Sequence, residues 1–266
     1  MDGSQKPIAG GNLNLREYGM KELLIENFKK AENKLILLDY DGTLVDYKIA
    51  PHEAAPSEPL LASLLKLNGS QNTKLVIITG RSFQDIDGFV GHLPIDIVAE
   101  HGAMIREKEE WKELVPNDEA WKRTVLPILG RAVENCTGSF IEEKRFSLAW
   151  HYRNADPGAG LAVSRELISE LAEQIQTLNL KITDGKKVVE IKRKDIDKGK
   201  GTLYLLGKDH YDFILSIGDD KTDEDMFEVL VNNPCAFTIK VGGGDTLAKY
   251  RLENVQNVIV LLNELI

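Results

Sequence analysis

Short apolar runs alternate with helical patterns at both ends of the chain. Each run is four to six residues long, which suits a strand and is too short for most helices. The runs are Leu35–Leu38, Leu75–Ile78, Ile95–Ala99, Phe213–Ile217, Ala236–Val241 and Val258–Leu262. Leucines with helical spacing occupy residues 60–65, between the first two runs. Continuous apolar runs separated by amphipathic helices are typical of a parallel sheet covered on both faces, so we predict an α/β core.

The middle of the chain has a different pattern of apolar and polar positions. Apolar Phe146, Leu148 and Trp150 alternate with polar or small neighbours up to residue 152, which predicts a strand with one buried face. Residues 186–191 indicate a second strand. Helical patterns at 119–134 and around 167–178 accompany these strands. Strands and helices in this order favour an α+β unit, with helices on one face of an antiparallel sheet.

The positions where the hydrophobic pattern changes also predict the domain boundaries. We place the α+β insert at 106–192 and the α/β core at 20–105 together with 193–266. Residues 1–19, which contain the pair Gly10-Gly11, are predicted to be a linker or a tag.

Charge and composition exclude several classes of partner. The net charge of −9 disfavours nucleic acid, because phosphate backbones bind to basic surfaces. No apolar run approaches the roughly 18 residues that a membrane helix needs, so we expect no membrane partner. Two cysteines are too few for a disulfide framework. These features predict a cytoplasmic protein.

Acidic and polar residues stand directly after the predicted strands. Asp39, Thr79, Glu100 and Asp219 each follow an apolar run. Ligands of such sheets bind beyond the carboxyl ends of the strands, so we expect these side chains at one edge. Asp41 lies two residues beyond Asp39, and the pair could bind a metal, act as nucleophile and acid/base, or cap a turn.

A second acidic cluster changes the balance between these alternatives. Residues 218–227, with the sequence GDDKTDEDMF, carry five acids within seven positions after another strand. Some of them would favour a helix N-terminus, but the group is also a strong candidate for Mg²⁺, which prefers oxygen ligands. Mg²⁺ between carboxylates indicates a phosphate substrate. Thr79 and Lys198 could bind that phosphate, while Asp39 attacks phosphorus and Asp41 exchanges protons with the leaving oxygen and with water.

Four motifs occur in one order along the chain. They are DYDGTL (39–44), TGR (79–81), DKG (197–199) and GDDKTDEDMF (218–227). This set resembles the haloacid-dehalogenase-like phosphatases. Four further segments, at 91–103, 142–144, 151–153 and 185–192, look like the trehalose-6-phosphate phosphatases of that superfamily. The resemblance covers nearly everything from residue 34 to 262.

The resemblance implies a Rossmann-like parallel-sheet core with an inserted α+β cap, and it implies roles. Asp39 would be the nucleophile and Asp41 the acid/base, while Thr79 and Lys198 would hold the phosphate. The metal candidates are Asp39, Asp41 (through its main-chain carbonyl), Asp219 and Asp220; Asp220 and Asp223 would ligate indirectly or orient Lys198 and waters. The candidate substrate contacts are Arg81, His101, Gly102, Glu142, Lys144, Arg153, Lys186 and Glu190.

Purely structural roles remain alternatives for some of these candidate site residues. Arg81 could be a surface charge at a helix start, and His101 a polar residue near the core. Single cap residues could be surface ion pairs, but Lys186 and Glu190 would face one side of a strand about 13 Å apart, which spans much of a disaccharide.

The expected function is Mg²⁺-dependent hydrolysis of trehalose 6-phosphate through an aspartyl-phosphate. Alternatives are a phosphatase for sucrose 6-phosphate or glucosylglycerol phosphate, a more distant phosphomutase, or a non-catalytic sugar-phosphate-sensing domain of a larger synthase. The expected partners are a small sugar phosphate and an upstream trehalose-6-phosphate synthase domain or subunit.

Overall fold

The computed structural model describes residues 13–15, 19–48 and 50–266. The strands in chain order are β1 (Leu13–Asn14), β2 (Lys34–Leu38), β3 (Thr73–Ile78), β4 (Asp96–Ala99), β5 (Met104–Glu107), β6 (Glu110–Glu113), β7 (Phe140–Glu143), β8 (Ser147–His151), β9 (Leu180–Gly185), β10 (Val188–Arg193), β11 (Phe213–Gly218), β12 (Ala236–Val241) and β13 (Tyr250–Leu252). The α-helices are α1 (Met20–Lys30), α2 (Glu58–Asn68), α3 (Phe83–Val90), α4 (Lys122–Glu134), α5 (Pro157–Thr177), α6 (Lys198–Leu206), α7 (Glu224–Leu230) and α8 (Val255–Glu264).

Nine of these strands form one sheet in the order β1-β13-β12-β11-β2-β3-β4-β5-β6. Pairing is parallel from β1 to β4 along this order and antiparallel at β5 and β6. β2 lies between β11 and β3, so the carboxyl ends of these three strands meet at one edge. The predicted α/β class, with a sheet that is mostly parallel, is confirmed.

Helices cover both faces of this sheet because successive strand residues point to opposite sides. Ile36 and Leu38 belong to the core that includes residues of α1, α2, α3 and α8. Leu35 and Leu37 belong to a separate core with residues of α6 and α7. All five residues of β2 are buried, as expected for a central strand with helices on each side.

The other four strands form an antiparallel sheet in the order β7-β8-β10-β9. Leu148 and Trp150 of β8 pack with Val125 of α4 and Leu167 of α5, in a hydrophobic core of its own. Helices therefore cover one face of this sheet, as the sequence predicted. The opposite face carries Ala149 and His151, which line a cavity described below.

One predicted strand is wrong. The apolar run Val258–Leu262 lies in helix α8, which begins after Asn254, whose side chain accepts a hydrogen bond from the N–H of Asn257. Val258, Leu261 and Leu262 are buried and share a helical face, whereas a strand would alternate. A run of five apolar residues is too short to distinguish a helical period from a strand period, and the Asn254 cap is what marks the start of the helix.

The structure also places two segments differently from the predicted boundaries. The boundary at 106 falls inside β5, and β6 also pairs into the nine-stranded sheet. Leu13–Asn14, within the predicted linker, pair in parallel with β13, and Leu15 is buried. Residues 1–12 and 16–18 of that linker lie outside the described residues. None of the described helices has the length and apolar character to cross a bilayer.

Candidate active site

Three predicted site residues meet at the edge where β11, β2 and β3 end. Asp39 follows β2, Thr79 follows β3 and Asp219 follows β11. The N–H of Asp39 donates to the Ile217 carbonyl, and the N–H of Thr79 donates to that of Val98, so both residues are fixed by the ladders they extend. Asp39 and Thr79 are buried beside a cavity of about 240 Å³ that they help to line.

The turn after Asp39 requires glycine. Gly42 has φ of +84°, and a Cβ atom there would lie 2.3 Å from Oδ2 of Asp219. Its N–H donates to the carbonyl of Val45, which closes the turn. The Asp-Gly pair of the first motif therefore lets the loop after β2 approach the carboxylate after β11.

Lys198 joins two acids from different segments. It opens helix α6, and its Nζ lies 2.6 Å from Oδ1 of Asp39 and 2.6 Å from Oδ1 of Asp223. Lys198 is 2 % exposed and Asp223 is fully buried. Burial lowers the pKa of Lys198, but Asp223 and Asp39 outweigh it and raise that pKa above its ordinary value. Lys198 is thus a fixed positive charge in the site.

Asp39, Asp219 and Asp223 each place a carboxylate oxygen within 4.8 Å of the others. Burial and the charge of Asp223 raise the pKa of Asp39, and they raise the pKa of Asp219 to about 6. Oδ1 of Asp219 is buried without a hydrogen-bond partner among the described residues. Crowded carboxylates with an unpaired oxygen fit a hard divalent cation. Asp223 has both oxygens occupied, by Lys198 and by the N–H groups of Asp219 and Asp220, so Asp39 and Asp219 are the available ligands.

The carboxylates of Asp41 and Asp220 lie outside this trio, while the ligand predicted on Asp41 is its main-chain carbonyl and stays a prediction. The Asp41 side chain forms a bidentate pair with Arg81, at 2.6 Å for both hydrogen bonds. The Asp220 side chain accepts a hydrogen bond from the N–H of Lys221, although Asp220 lines the cavity. Arg81 also stacks over the ring of Tyr40, 5.3 Å from its centroid, so it is built into the site and is not a free surface charge.

The antiparallel sheet places several of its charged residues against the same cavity. Lys144 Nζ donates to the Gly80 carbonyl at 3.3 Å, and it lies 3.7 Å from Glu190 and 4.0 Å from Glu142. Glu190 also contacts Nε2 of His101 at 3.1 Å. Burial raises the pKa of Glu190, but His101 and Lys144 oppose it and hold the pKa well below its usual range. Glu190 is therefore an ionised acceptor in the cavity wall.

Arg153 also lines the cavity and bridges the two sheets. Its Nη1 donates to the carbonyl of Lys48, in the loop after the first motif, at 3.1 Å.

The structure does not bring two candidate substrate contacts into the cavity wall. Lys186 precedes β10 in the hairpin turn, where Lys187 has φ of +62°, so the predicted strand face shared by Lys186 and Glu190 is wrong. Gly102 has φ of +107°, and a Cβ there would lie 2.4 Å from the Asp197 carbonyl oxygen. Its position allows close packing against the start of α6. Glu100 likewise serves a contact between the sheets, accepting the N–H of Phe146 at 2.9 Å.

Comparison with known proteins identifies the family of this chain. A sequence model of the trehalose-phosphatase family matches residues 37–256. The chain belongs to this family. The match confirms the family that the sequence motifs predicted.

Individual relatives give the same family. The chain is 40% identical over 251 residues to a Thermoproteus tenax protein named bifunctional trehalose-6-phosphate synthase/phosphatase, covering 92% of this chain and 34% of that protein. It is 33% identical over 234 residues to a trehalose-phosphatase of Saccharomyces cerevisiae, covering 79% of this chain and 26% of that protein. The chain thus spans about a third or less of the length of these curated relatives.

A solved structure extends the match to the fold. The C-terminal domain of the Candida albicans trehalose-6-phosphate phosphatase aligns with a TM-score of 0.88 at 29% identity. The alignment covers 96% of this chain and 98% of that domain, so the match includes both sheets of this chain.

Sequence reasoning gave no role to Tyr47 and His151 at this site. The hydroxyl of Tyr47 donates to Oδ2 of Asp219 at 3.1 Å, and burial raises the Tyr47 pKa. Nε2 of His151 lies 2.8 Å from Oε2 of Glu142. Tyr47 sits eight residues after the nucleophile candidate in a loop without periodicity, so only its aromatic character in a polar stretch could have marked it.

We expect His101 to make the unfolding free energy fall in acid. Burial and the charge of Lys192 lower the pKa of His101 to about 4. The unfolded chain takes up this proton near pH 6.5, so the stabilisation is complete above pH 6.5 and is lost as the pH falls towards 4. Over that range the wild type should lose roughly 3 kcal/mol more than a His101→Asn variant, measured by urea unfolding. Asparagine suits the φ of +56° at this position. Equal losses in both proteins would contradict the burial of a neutral imidazole.

Proposed function

We propose that this chain hydrolyses trehalose 6-phosphate to trehalose and phosphate, with Asp39 as the nucleophile. The observation that carries the proposal is the convergence of Asp39, Lys198 and Asp219 beside a cavity whose opposite wall carries Glu142, Lys144 and Glu190. One wall offers a nucleophile and charges for a phosphate, and the other offers acceptors and donors for sugar hydroxyls. Membership of the trehalose-phosphatase family supports the choice of sugar.

Asp39 would attack phosphorus through a carboxylate oxygen, forming an aspartyl-phosphate while the sugar oxygen leaves. Lys198, held between Asp39 and Asp223, would place its positive charge beside the transferring phosphoryl group. The Thr79 hydroxyl accepts from the N–H of Arg81 at 3.1 Å, which leaves its hydrogen available to a phosphate oxygen. Water would then attack phosphorus and regenerate the Asp39 carboxylate.

Asp41 would donate a proton to the leaving sugar oxygen and later accept one from the attacking water. The bidentate pair with Arg81 sets the orientation of the Asp41 carboxylate in the free protein. Both groups line the cavity, so the incoming substrate meets them together.

We further propose that Mg²⁺ binds to Asp39 and Asp219, the two carboxylates with oxygens left to ligate. Bound there, Mg²⁺ would neutralise charge on the phosphate, as metal ions do in phosphoryl transfer. Asp223 would position Lys198 and the backbone of Asp219 and would not ligate directly.

The names of the relatives support a synthase partner. The Thermoproteus relative is named as a synthase/phosphatase, and this chain matches about a third of it. We therefore propose that this phosphatase works beside a trehalose-6-phosphate synthase, as another domain or as a subunit. The compartment remains predicted as cytoplasmic.

The proposal is tested by phosphate release from a panel of substrates. The panel holds trehalose 6-phosphate, sucrose 6-phosphate, glucosylglycerol phosphate and glucose 6-phosphate, each with Mg²⁺ and after chelation. We expect kcat/KM for trehalose 6-phosphate to exceed that for glucose 6-phosphate at least about 100-fold, because the second ring adds buried hydrogen bonds. Chelation should abolish turnover. Equal rates for the two sugars would refute the substrate, and undiminished turnover after chelation would refute the metal.

Glu190→Gln is expected to weaken selection between sugars more than it weakens the chemistry. The amide keeps the shape of Glu190 but loses the charge that His101 and Lys144 hold in place. A hydrogen bond to a charged group contributes roughly 1.5–3 kcal/mol, so kcat/KM for trehalose 6-phosphate should fall about 10- to 100-fold. Hydrolysis of 4-nitrophenyl phosphate, assayed in parallel, should fall far less. An equal fall for both substrates would assign Glu190 to the chemistry or the fold.

A further inference from the structure

The cavity-facing side of the antiparallel sheet has two carboxylates on either side of a small residue. Glu142 of β7 pairs with Ala149 of β8, and Ala149 pairs with Glu190 of β10. Residues directly opposite in antiparallel strands point to the same side. Neighbouring strands lie about 4.8 Å apart, so the two acidic side chains start about 10 Å from each other. Lys144 Nζ lies 3.7 Å from Glu190 and 4.0 Å from Glu142, so a sugar at this side of the sheet would meet two acceptors and one cation together.

Each of these carboxylates is hydrogen-bonded by a histidine. His101, in the connection between β4 and β5, contacts Glu190 at 3.1 Å, and Ser147 donates to the same carboxylate at 2.9 Å. His151, from the antiparallel sheet itself, contacts Oε2 of Glu142 at 2.8 Å. An ionised carboxylate only accepts, so the proton of this second pair lies on Nε2 of His151.

The ring of His151 is itself held in place. Phe140 pairs directly with His151 across β7 and β8. Their rings stack with centroids 4.8 Å apart and planes 16° from parallel. Stacking restrains χ2 of the histidine, so Nε2 stays directed at Glu142 and the imidazole stays in the cavity wall.

Among the residues that the structure describes, the contacts of Glu142 use Oε2 and leave Oε1 for another partner. Oε2 accepts from His151, while Lys144 Nζ stands 4.0 Å away. Burial raises the pKa of Glu142, but the His151 hydrogen bond and Lys144 outweigh it and lower that pKa. Glu142 is thus an ionised acceptor with a set orientation.

We propose that His151 is a positioning residue for substrate selection, which fixes Glu142 as the acceptor for a hydroxyl of the sugar. The inference rests on the proposed function, because it assigns a sugar phosphate to the cavity. His151 acts through Glu142 and does not touch the reacting atoms.

The test compares His151→Leu with His151→Gln, using trehalose 6-phosphate and 4-nitrophenyl phosphate. The glutamine amide can place its nitrogen near the position of Nε2, whereas leucine cannot donate. We expect His151→Leu to raise KM for trehalose 6-phosphate about tenfold with kcat nearly unchanged, and His151→Gln to restore most of the loss. KM for 4-nitrophenyl phosphate should change much less. His92→Leu, the same change at an exposed histidine of the core, is the matched control.

A double-mutant cycle with Glu142→Ala tests whether His151 affects KM through Glu142. If His151 acts through Glu142, His151→Leu should add no further loss in the Glu142→Ala background. Additive losses, or equal losses for both substrates, would overturn the proposal. So would a His151→Leu variant that keeps the wild-type KM for trehalose 6-phosphate. Failure of the wild type to prefer trehalose 6-phosphate would instead refute the proposed function.

Discussion

Asp39→Asn is expected to lower kcat for phosphate release by about 10⁴-fold or more, the scale seen when a catalytic nucleophile is removed. The amide is a poor nucleophile and a weaker ligand for a hard cation. Its oxygen can still accept from Lys198, which also keeps its contact with Asp223.

The same variant should unfold no more easily than the wild type when metal is absent. Burial and the charges of Asp223 and Asp219 raise the pKa of Asp39 more than Lys198 lowers it, so the ionised carboxylate is a net destabilising charge in the folded protein. The neutral amide removes that repulsion, so the variant should be at least as stable as the wild type. A gain in stability with a loss of activity is expected when a catalytic residue is replaced. Urea unfolding in chelator measures the stability, and phosphate release measures the activity. Turnover close to the wild type would show that Asp39 is not the nucleophile.

Lys198→Met should have the second largest effect, on both activity and stability. Lys198 is 2 % exposed and lies within 2.6 Å of two carboxylates. Removing one partner of a buried charge pair typically costs about 3–5 kcal/mol, because the remaining charges stay uncompensated. Losing a preorganised positive charge beside the phosphate should lower kcat about 10²- to 10³-fold.

Lys200→Met is the matched control for that substitution. Lys200 lies two residues further on and is exposed. Its loss should leave both the unfolding free energy and kcat close to the wild type. If Lys200→Met were the more harmful of the two changes, the assignment of Lys198 to the phosphate would be wrong.

The central sheet was predictable because its strands are apolar on both faces and end in polar groups. Asp39, Thr79 and Asp219 share an edge since β11, β2 and β3 are adjacent and parallel. The order of the strands along the chain does not predict which strands are neighbours. The resemblance of the four motifs to a known family does, because it implies a fold.

Other features depended on contacts between distant segments. Val258–Leu262 is apolar in a way that suits strand or helix, and packing against the sheet selected the helix. Lys186 does not line the cavity because it forms, with Lys187, the turn between β9 and β10 and so precedes the strand that carries Glu190. Asp223 is the acid that holds Lys198, whereas the resemblance implied this role for Asp220 and Asp223 without separating the two.

The identity of the nucleophile can be measured by trapping the phosphorylated enzyme. Asp41→Asn should slow attack by water on the intermediate, while 4-nitrophenyl phosphate supplies a leaving group that needs little protonation. After mixing and acid quenching, mass spectrometry of the peptides should show one added phosphoryl group on Asp39. Phosphate release from this variant with an unmodified Asp39, or with the phosphoryl group on another residue, would contradict the proposed chemistry.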